Sequence, residues 1–197
     1  VCEVDVRLRP DGDAGQRCVS LDVFNKYQLE KAWTWEHQAL TRARFVNGSE
    51  EVALGFEEIR HSILTQQRDL GKLQTEIIAM REKMIPTHPS KEENVKYARG
   101  GIVDVEFIVQ YLILAHSHIF PQLTQNYGNI ALLGIAADLG LIDLNLAHKS
   151  QEAYRYYRKV QHLSNLKDNA IVEINNELLS HYEHVNSLWK LCFSDHR

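Results

Sequence analysis

The sequence is short of the residues that build metal clusters, disulfide frameworks and membrane spans. Its three cysteines, Cys2, Cys18 and Cys192, lie far apart at irregular spacing. Three is an odd number, and no metal-ligand pattern runs through them, so a disulfide scaffold is not expected and a reducing cytoplasm is the simpler setting. The ten histidines are scattered, and no His-x-x-x-His pair stands beside an acid, so metal binding through histidine is not expected. No run of apolar residues approaches the ~18 needed to cross a bilayer. With a net charge of −4 and acids and bases mixed throughout, no basic field exists to hold a phosphate backbone. Nucleic acid is therefore excluded as the principal partner. What remains, at 44% apolar and 24% charged residues, is the composition of an ordinary soluble globular protein.

Only the first ten residues alternate with period two. Cys2, Val4, Val6 and Leu8 point one way, and Glu3, Asp5, Arg7 and Arg9 the other. Turn chemistry around Gly12 and Gly15 ends this strand. One strand cannot bury its own apolar face, so its partners are expected upstream, in a longer protein of which this chain is a piece. Beyond Ser20 the period is helical. A long helix is expected from Ser20, its cap, to about Val46, with Leu29, Trp33, Leu40 and Ala43 as its buried stripe. Further helices are expected over about 50–66, 70–84, 102–116, 129–139, 144–166 (capped by Asp143) and 171–193. Pro86 and Pro89 open a polar stretch, 87–99, that reads as a mobile surface loop. Residues 102–116 are apolar on almost every side, the mark of a central, surrounded helix. The expected fold is mainly α: a bundle of six to seven helices preceded by a remnant strand.

Three places carry chemistry. On the strand, Asp5, Arg7 and Arg9 share one face at ~6.5 Å intervals. A carboxylate able to hold a divalent cation beside guanidiniums able to hold phosphate is a nucleotide-handling set; a solvated face with cross-strand ion pairs is the alternative. In the long helix, Glu36 interrupts the apolar stripe and needs a partner, for which an arginine is expected. Arg42 and Arg44 lie within two turns but point to different faces. His37, Thr41 and Arg44 share a face that could reach a phosphate, although an ordinary helix–helix polar contact fits equally. The third place is Gly100-Gly101-Ile102-Val103-Asp104-Val105-Glu106. Its glycines permit close backbone approach and its helix start offers N–H groups to a phosphate. First-turn acids such as Asp104 and Glu106 also serve simply as helix-dipole complements. The run Tyr154 to Lys159 has helical spacing, with tyrosines expected inward and bases outward.

Taken together, Glu3-Val4-Asp5-Val6-Arg7-Leu8-Arg9-Pro10, the helix text Ala32 to Arg44, the run Met80-Arg81-Glu82-Lys83-Met84 and the glycine-led segment Gly100 to Gln110 resemble one family. It is that of the bifunctional glutamine synthetase adenylyltransferase/adenylyl-removing enzymes. The resemblance is dense over about residues 1–115 and rests on helix pattern beyond. It implies that residues 1–48 are the end of a nucleotidyltransferase domain and 49–197 its attached helical bundle. The Trp35-Glu36-His37-Gln38-Ala39-Leu40 and Gly101-Ile102-Val103-Asp104 wording resembles the carboxy-terminal half, which transfers AMP from ATP to a tyrosine of glutamine synthetase. The other half removes AMP by phosphorolysis.

By the same resemblance Asp5 is the third of three carboxylates that hold Mg²⁺, Arg7 and Arg9 contact the triphosphate, and Glu36, Arg42, Arg44, Gly100, Gly101, Asp104 and Glu106 support the site. The first two carboxylates belong to a Gly-Ser-x-x-Asp-x-Asp motif that this sequence lacks, so the chain alone is expected to be inactive. Implied partners are glutamine synthetase and a PII-type signalling protein, with glutamine as effector. Two rival readings are a non-catalytic helical docking module and the related PII uridylyltransferase/uridylyl-removing enzyme.

Overall fold

A computed structural model describes residues 18–87, 94–166 and 174–194. The expected strand, with Asp5, Arg7 and Arg9, lies outside them. Among the described residues the fold is eight α-helices, a one-turn 3₁₀ helix at Pro121–Thr124, and no strand. The helices are α1 (Leu21–Glu30), α2 (Thr34–Leu40), α3 (Glu50–Leu64), α4 (Leu70–Lys83), α5 (Ile102–His116), α6 (Asn129–Asp138), α7 (Leu144–Leu166) and α8 (Asn176–Phe193). No described helix is long and apolar enough to cross a membrane.

The centre of the molecule is α5. Every residue from Ile102 to Ala115 except Glu106 and Phe107 is buried, because α2, α4, α6, α7 and α8 all pack against it. Its lack of a polar face is what forces that central position. Local chemistry sets the ends of its neighbours. Ser20, Ser49, Asp69, Asp143 and Asn175 each accept a hydrogen bond from the backbone N–H three residues on, capping α1, α3, α4, α7 and α8. Gly140, at φ +72°, turns the chain away after α6. Along α7, Tyr157 is buried and Tyr154 half-buried, whereas Arg155, Arg158 and Lys159 face water, as the spacing requires.

The long helix expected over 20–46 is two helices. The chain breaks at Lys31–Trp33 because the Glu36 carboxylate accepts the Trp33 N–H at 2.8 Å, starting α2 afresh, and takes the Tyr27 hydroxyl at 2.7 Å. The break undoes the first half of the expected stripe. Leu29 and Trp33 are 52% and 70% exposed, and Gln28, His37 and Gln38 are buried instead, whereas Leu40 is buried and Ala43 packs against the core as expected. At its other end α2 is held by Arg60, buried in α3, which donates to the Leu40, Thr41 and Thr124 carbonyls at 3.2, 2.9 and 2.8 Å. The surface loop expected over 87–99 is also corrected for its described part beyond residue 93. Val95 and Ala98 are buried in the core, and Val95, Lys96 and Ala98 carbonyls accept from the N–H groups of Ile102, Val103 and Gly101.

Three histidines tie this fold to pH. His37 donates from Nε2 to the Gln28 carbonyl at 3.0 Å, which leaves Nδ1 to accept from Arg68 at 3.1 Å. Burial, and then the Arg68 charge, hold its pKa below the ordinary 6.5. Burial likewise lowers His116 and His181, helped by His118 and His184 respectively. The folded chain thus binds fewer protons than the unfolded chain just below pH 6.5, so stability is complete above that pH and lost as pH falls. The melting temperature should drop between pH 7.5 and 5.5, and His37→Gln, which keeps a donor and an acceptor, should flatten the drop. A melting temperature that rises over this interval would contradict this.

Candidate functional site

The glycine-led corner is a packed structural joint. Asp104, buried in the first turn of α5, accepts from Arg81 Nε at 2.5 Å and from the Gly100 N–H at 2.6 Å. Arg81, fully buried on α4, also donates to the Tyr97 carbonyl at 2.8 Å. A Cβ on Gly100 would stand 2.4 Å from the Tyr182 carbonyl oxygen, and the residue's φ of +80° favours glycine on its own account. A Cβ on Gly101 would stand 2.4 Å from the Val95 carbonyl oxygen. The N–H groups expected to receive a phosphate are already taken: Gly100 by Asp104, Gly101 by Ala98, Ile102 by Val95 and Val103 by Lys96. The glycines allow the chain to pass between α8 and the 94–98 turns, and Tyr157 closes the joint by donating to the Gly100 carbonyl at 2.9 Å.

One and a half turns along α5, the chemistry opens to solvent. Glu106 points away from the joint and meets Arg42, just past the end of α2, at 3.0 Å. Tyr154 of α7 donates to the same carboxylate oxygen at 3.4 Å and accepts from Asn129 at 2.9 Å. Burial, and then the Glu106 charge, hold the Tyr154 phenol above its ordinary range, so it stays protonated and able to donate. Beside this group lies a cleft of about 570 Å³, lined by Arg42, Arg44, Gln110, Asn126, Tyr127, Asn129 and Tyr154 among others. Its amides are fixed: Gln110 accepts from Gln38 at 2.9 Å and Asn126 donates to the Ala43 carbonyl at 3.1 Å.

Sequence-predicted residues therefore divide. Arg42 and Arg44 line the cleft, and Glu106 is paired to Arg42 beside it; Gly100, Gly101 and Asp104 form the joint that sets the start of α5. Glu36 belongs to neither, and it pairs with no arginine among the described residues. Its role as a helix cap is worth about 1 kcal/mol, against the 3–5 kcal/mol of a broken buried ion pair. His37 does not share a face with Thr41 and Arg44, because α2 ends at Leu40. His37 meets Arg68, whereas Thr41, which donates to the Gln38 carbonyl, and Arg44 both line the cleft. Sequence reasoning missed Arg81 and Tyr154 as partners. Arg81 had a signal: it continues the buried positions Leu73 and Ile77 at four-residue spacing, where an aliphatic residue belongs. Among the described residues no group of three or more His, Cys, Asp or Glu side chains could hold a metal ion. Asp104 and Glu106 are committed to arginines, so they do not fit as Mg²⁺ ligands.

Two family models match the chain over separate stretches. Residues 1–59 match the family model described as glutamate-ammonia ligase adenylyltransferase. Residues 68–170 match the one described as GlnD PII-uridylyltransferase. Over 98% of its length the chain is 60% identical to the bifunctional glutamine synthetase adenylyltransferase/adenylyl-removing enzyme of Neisseria meningitidis serogroup B, spanning 22% of that protein. The same-named proteins of Chromobacterium violaceum and Bordetella bronchiseptica are 51% and 47% identical over 97% and 98% of the chain, which spans 21% of each. Agreement across nearly the whole chain favours the adenylyltransferase over its uridylyltransferase rival, whose model covers the helical part alone. The chain therefore belongs to the family of bifunctional glutamine synthetase adenylyltransferase/adenylyl-removing enzymes, as a stretch of their length, with residues 68–170 matching the model described as GlnD PII-uridylyltransferase.

Proposed function

We propose that the whole protein transfers AMP from ATP to a tyrosine of glutamine synthetase, and that this chain carries the end of the transferring domain with its helical bundle. On this reading residues 1–48 complete the nucleotidyltransferase domain and 49–197 form the attached bundle. The protein works in the cytoplasm, under control by glutamine and a PII-type partner. Asp5 holds Mg²⁺, which when bound neutralises charge on the triphosphate, and Arg7 and Arg9 bind phosphate oxygens. The chain by itself lacks the other two carboxylates and transfers nothing.

The observation that carries this reading is the Arg42–Glu106 pair. Two motifs far apart in sequence deliver an arginine and a glutamate to the edge of one polar cleft. Behind them the Arg81–Asp104 joint fixes the start of α5, so that Glu106 projects in one direction. A docking module would need the joint but not a glutamate paired to the arginine at the cleft. In the whole protein, Arg42→Gln and Glu106→Gln should each slow AMP transfer by roughly ten- to a hundredfold, as loss of positioning does. The double variant should be no slower than the slower single one, because the two residues act as a unit. Transfer within about twofold of normal in all three, a free-energy change too small to be a site contact, would favour the docking module.

A further inference from the structure

At the end of α5 away from the glycine joint lies a cavity of about 730 Å³, walled by the start of α4, the last turns of α5 and α8, and the turn 140–143. None of its residues lines the cleft beside Arg42. Leu70, Leu112, Leu141, Ile142 and Leu191 supply an apolar wall of the kind that takes small molecules. Its polar groups are few and fixed. The Cys192 carbonyl can only accept, so the Gln74 amide nitrogen faces it at 2.7 Å, and also donates to the Tyr111 hydroxyl at 3.2 Å. That leaves the Gln74 carbonyl oxygen as an acceptor without a hydrogen bond among the described residues. Asp143 gives one oxygen to the Leu146 N–H at 2.9 Å as the cap of α7, and keeps its other oxygen for a further donor.

Charge in this cavity has one sign. Among the described residues no lysine or arginine lines it, and Asp143 is its one acid. Burial pushes the Cys192 thiol up to about 12 and the Tyr111 phenol above its ordinary range, so neither adds a charge at neutral pH. His116, held below 6.5 by burial and then by His118, is a neutral imidazole there. Helices α5 and α8 enter by their C-terminal ends, whose partial negative charge favours a cation, whereas the N-terminal ends of α4 and α7 are already closed by Asp69 and Asp143. We propose that the cavity binds a small organic amine, with its ammonium group at Asp143 and the Gln74 carbonyl oxygen and its apolar body against Leu112, Leu141 and Ile142. An ammonium brings three donors and no acceptor, which suits a wall of carboxylate, amide oxygen and neutral imidazole. The proposal needs only this cavity, so it stands or falls separately from AMP transfer.

The test is calorimetric titration of the 197-residue chain, above the histidine range of pH, with tryptamine and with indolepropionate, which carries the same ring on a carboxylate. Saturable binding of tryptamine is expected, about tenfold or more tighter than that of indolepropionate, the worth of one charge-assisted contact. Asp143→Asn removes the charge and keeps the cap of α7, since asparagine caps a helix as well as aspartate does. It should weaken tryptamine by about tenfold and leave the melting temperature nearly unchanged. Gly71→Leu narrows the cavity from the α4 side, where the nearest group a Cβ would meet is the Asp69 carboxylate at 3.5 Å. Leucine favours a helix over glycine, so the melting temperature should hold or rise while tryptamine affinity falls by a similar factor. Absence of saturable tryptamine binding, indolepropionate binding as tightly, or affinity unchanged in either variant would each overturn the proposal.

Discussion

Arg81→Met should destabilise the protein by about 3–5 kcal/mol, because it leaves the Asp104 carboxylate buried without its counter-charge. For a chain of this size that is a fall of roughly 6–20 °C in melting temperature. Both groups are almost completely shielded from water, so screening cannot soften the loss. The pair's net worth is smaller than this cost of breaking it. Among the described residues Arg81 Nη1 has no hydrogen-bond partner, and an unsatisfied buried donor offsets part of what Nε and Nη2 gain. Hence the double variant Arg81→Met with Asp104→Asn should recover a good part of the stability. Asparagine can still accept the Gly100 N–H, and the uncompensated charge is gone. Urea denaturation of the two variants measures this. A single variant within about 0.5 kcal/mol of the parent, or a double variant that adds the two losses, would show that the joint is not what fixes α5.

How far the sequence could be read depended on whether an element was shaped by its own residues or by distant ones. Helix α5 was legible to the residue, since an all-apolar run after Gly100-Gly101 can only be a core helix. The caps at Ser20 and Asp143 were legible because a cap is a contact over three residues. The break between α1 and α2 was not, since Leu29 and Trp33 fall on helical spacing and mask it. Glu36 was noticed as an intruder in that stripe, but its reason for being there is the Trp33 N–H and the Tyr27 hydroxyl, both on its N-terminal side. Val95 and Ala98 were lost inside a charged stretch, although their three-residue spacing matched one buried face.

At the site, the acids were visible and their partners were not. Asp104 and Glu106 stand two residues apart, so a helix sends them in different directions, and each takes an arginine from another element. Periodicity within one helix carries no information about which arginine that is. The resemblance marked Glu36, Arg42, Arg44, Gly100, Gly101, Asp104 and Glu106 alike as supporting one site; in the structure Arg42 pairs with Glu106 and lines a cleft with Arg44. For Gly100 and Gly101 the glycines and the helix start suggested phosphate, and the backbone N–H groups prove to be occupied.

The most direct test of AMP transfer as the function is Asp5→Asn in the whole protein. Asparagine preserves the size of the side chain and removes the charge by which it would hold Mg²⁺. Transfer of AMP to glutamine synthetase should fall by roughly three orders of magnitude, the rate equivalent of the several kcal/mol that a metal's charge stabilisation supplies. Folding should be nearly unchanged, with a melting curve as the control. Phosphorolytic removal of AMP, assigned to the other half of the protein, should continue at its normal rate. The paired assays of transfer and removal on this one variant are therefore the decisive measurement. Transfer lost with removal intact is the result expected; near-normal transfer, or removal lost while transfer survives, would contradict it.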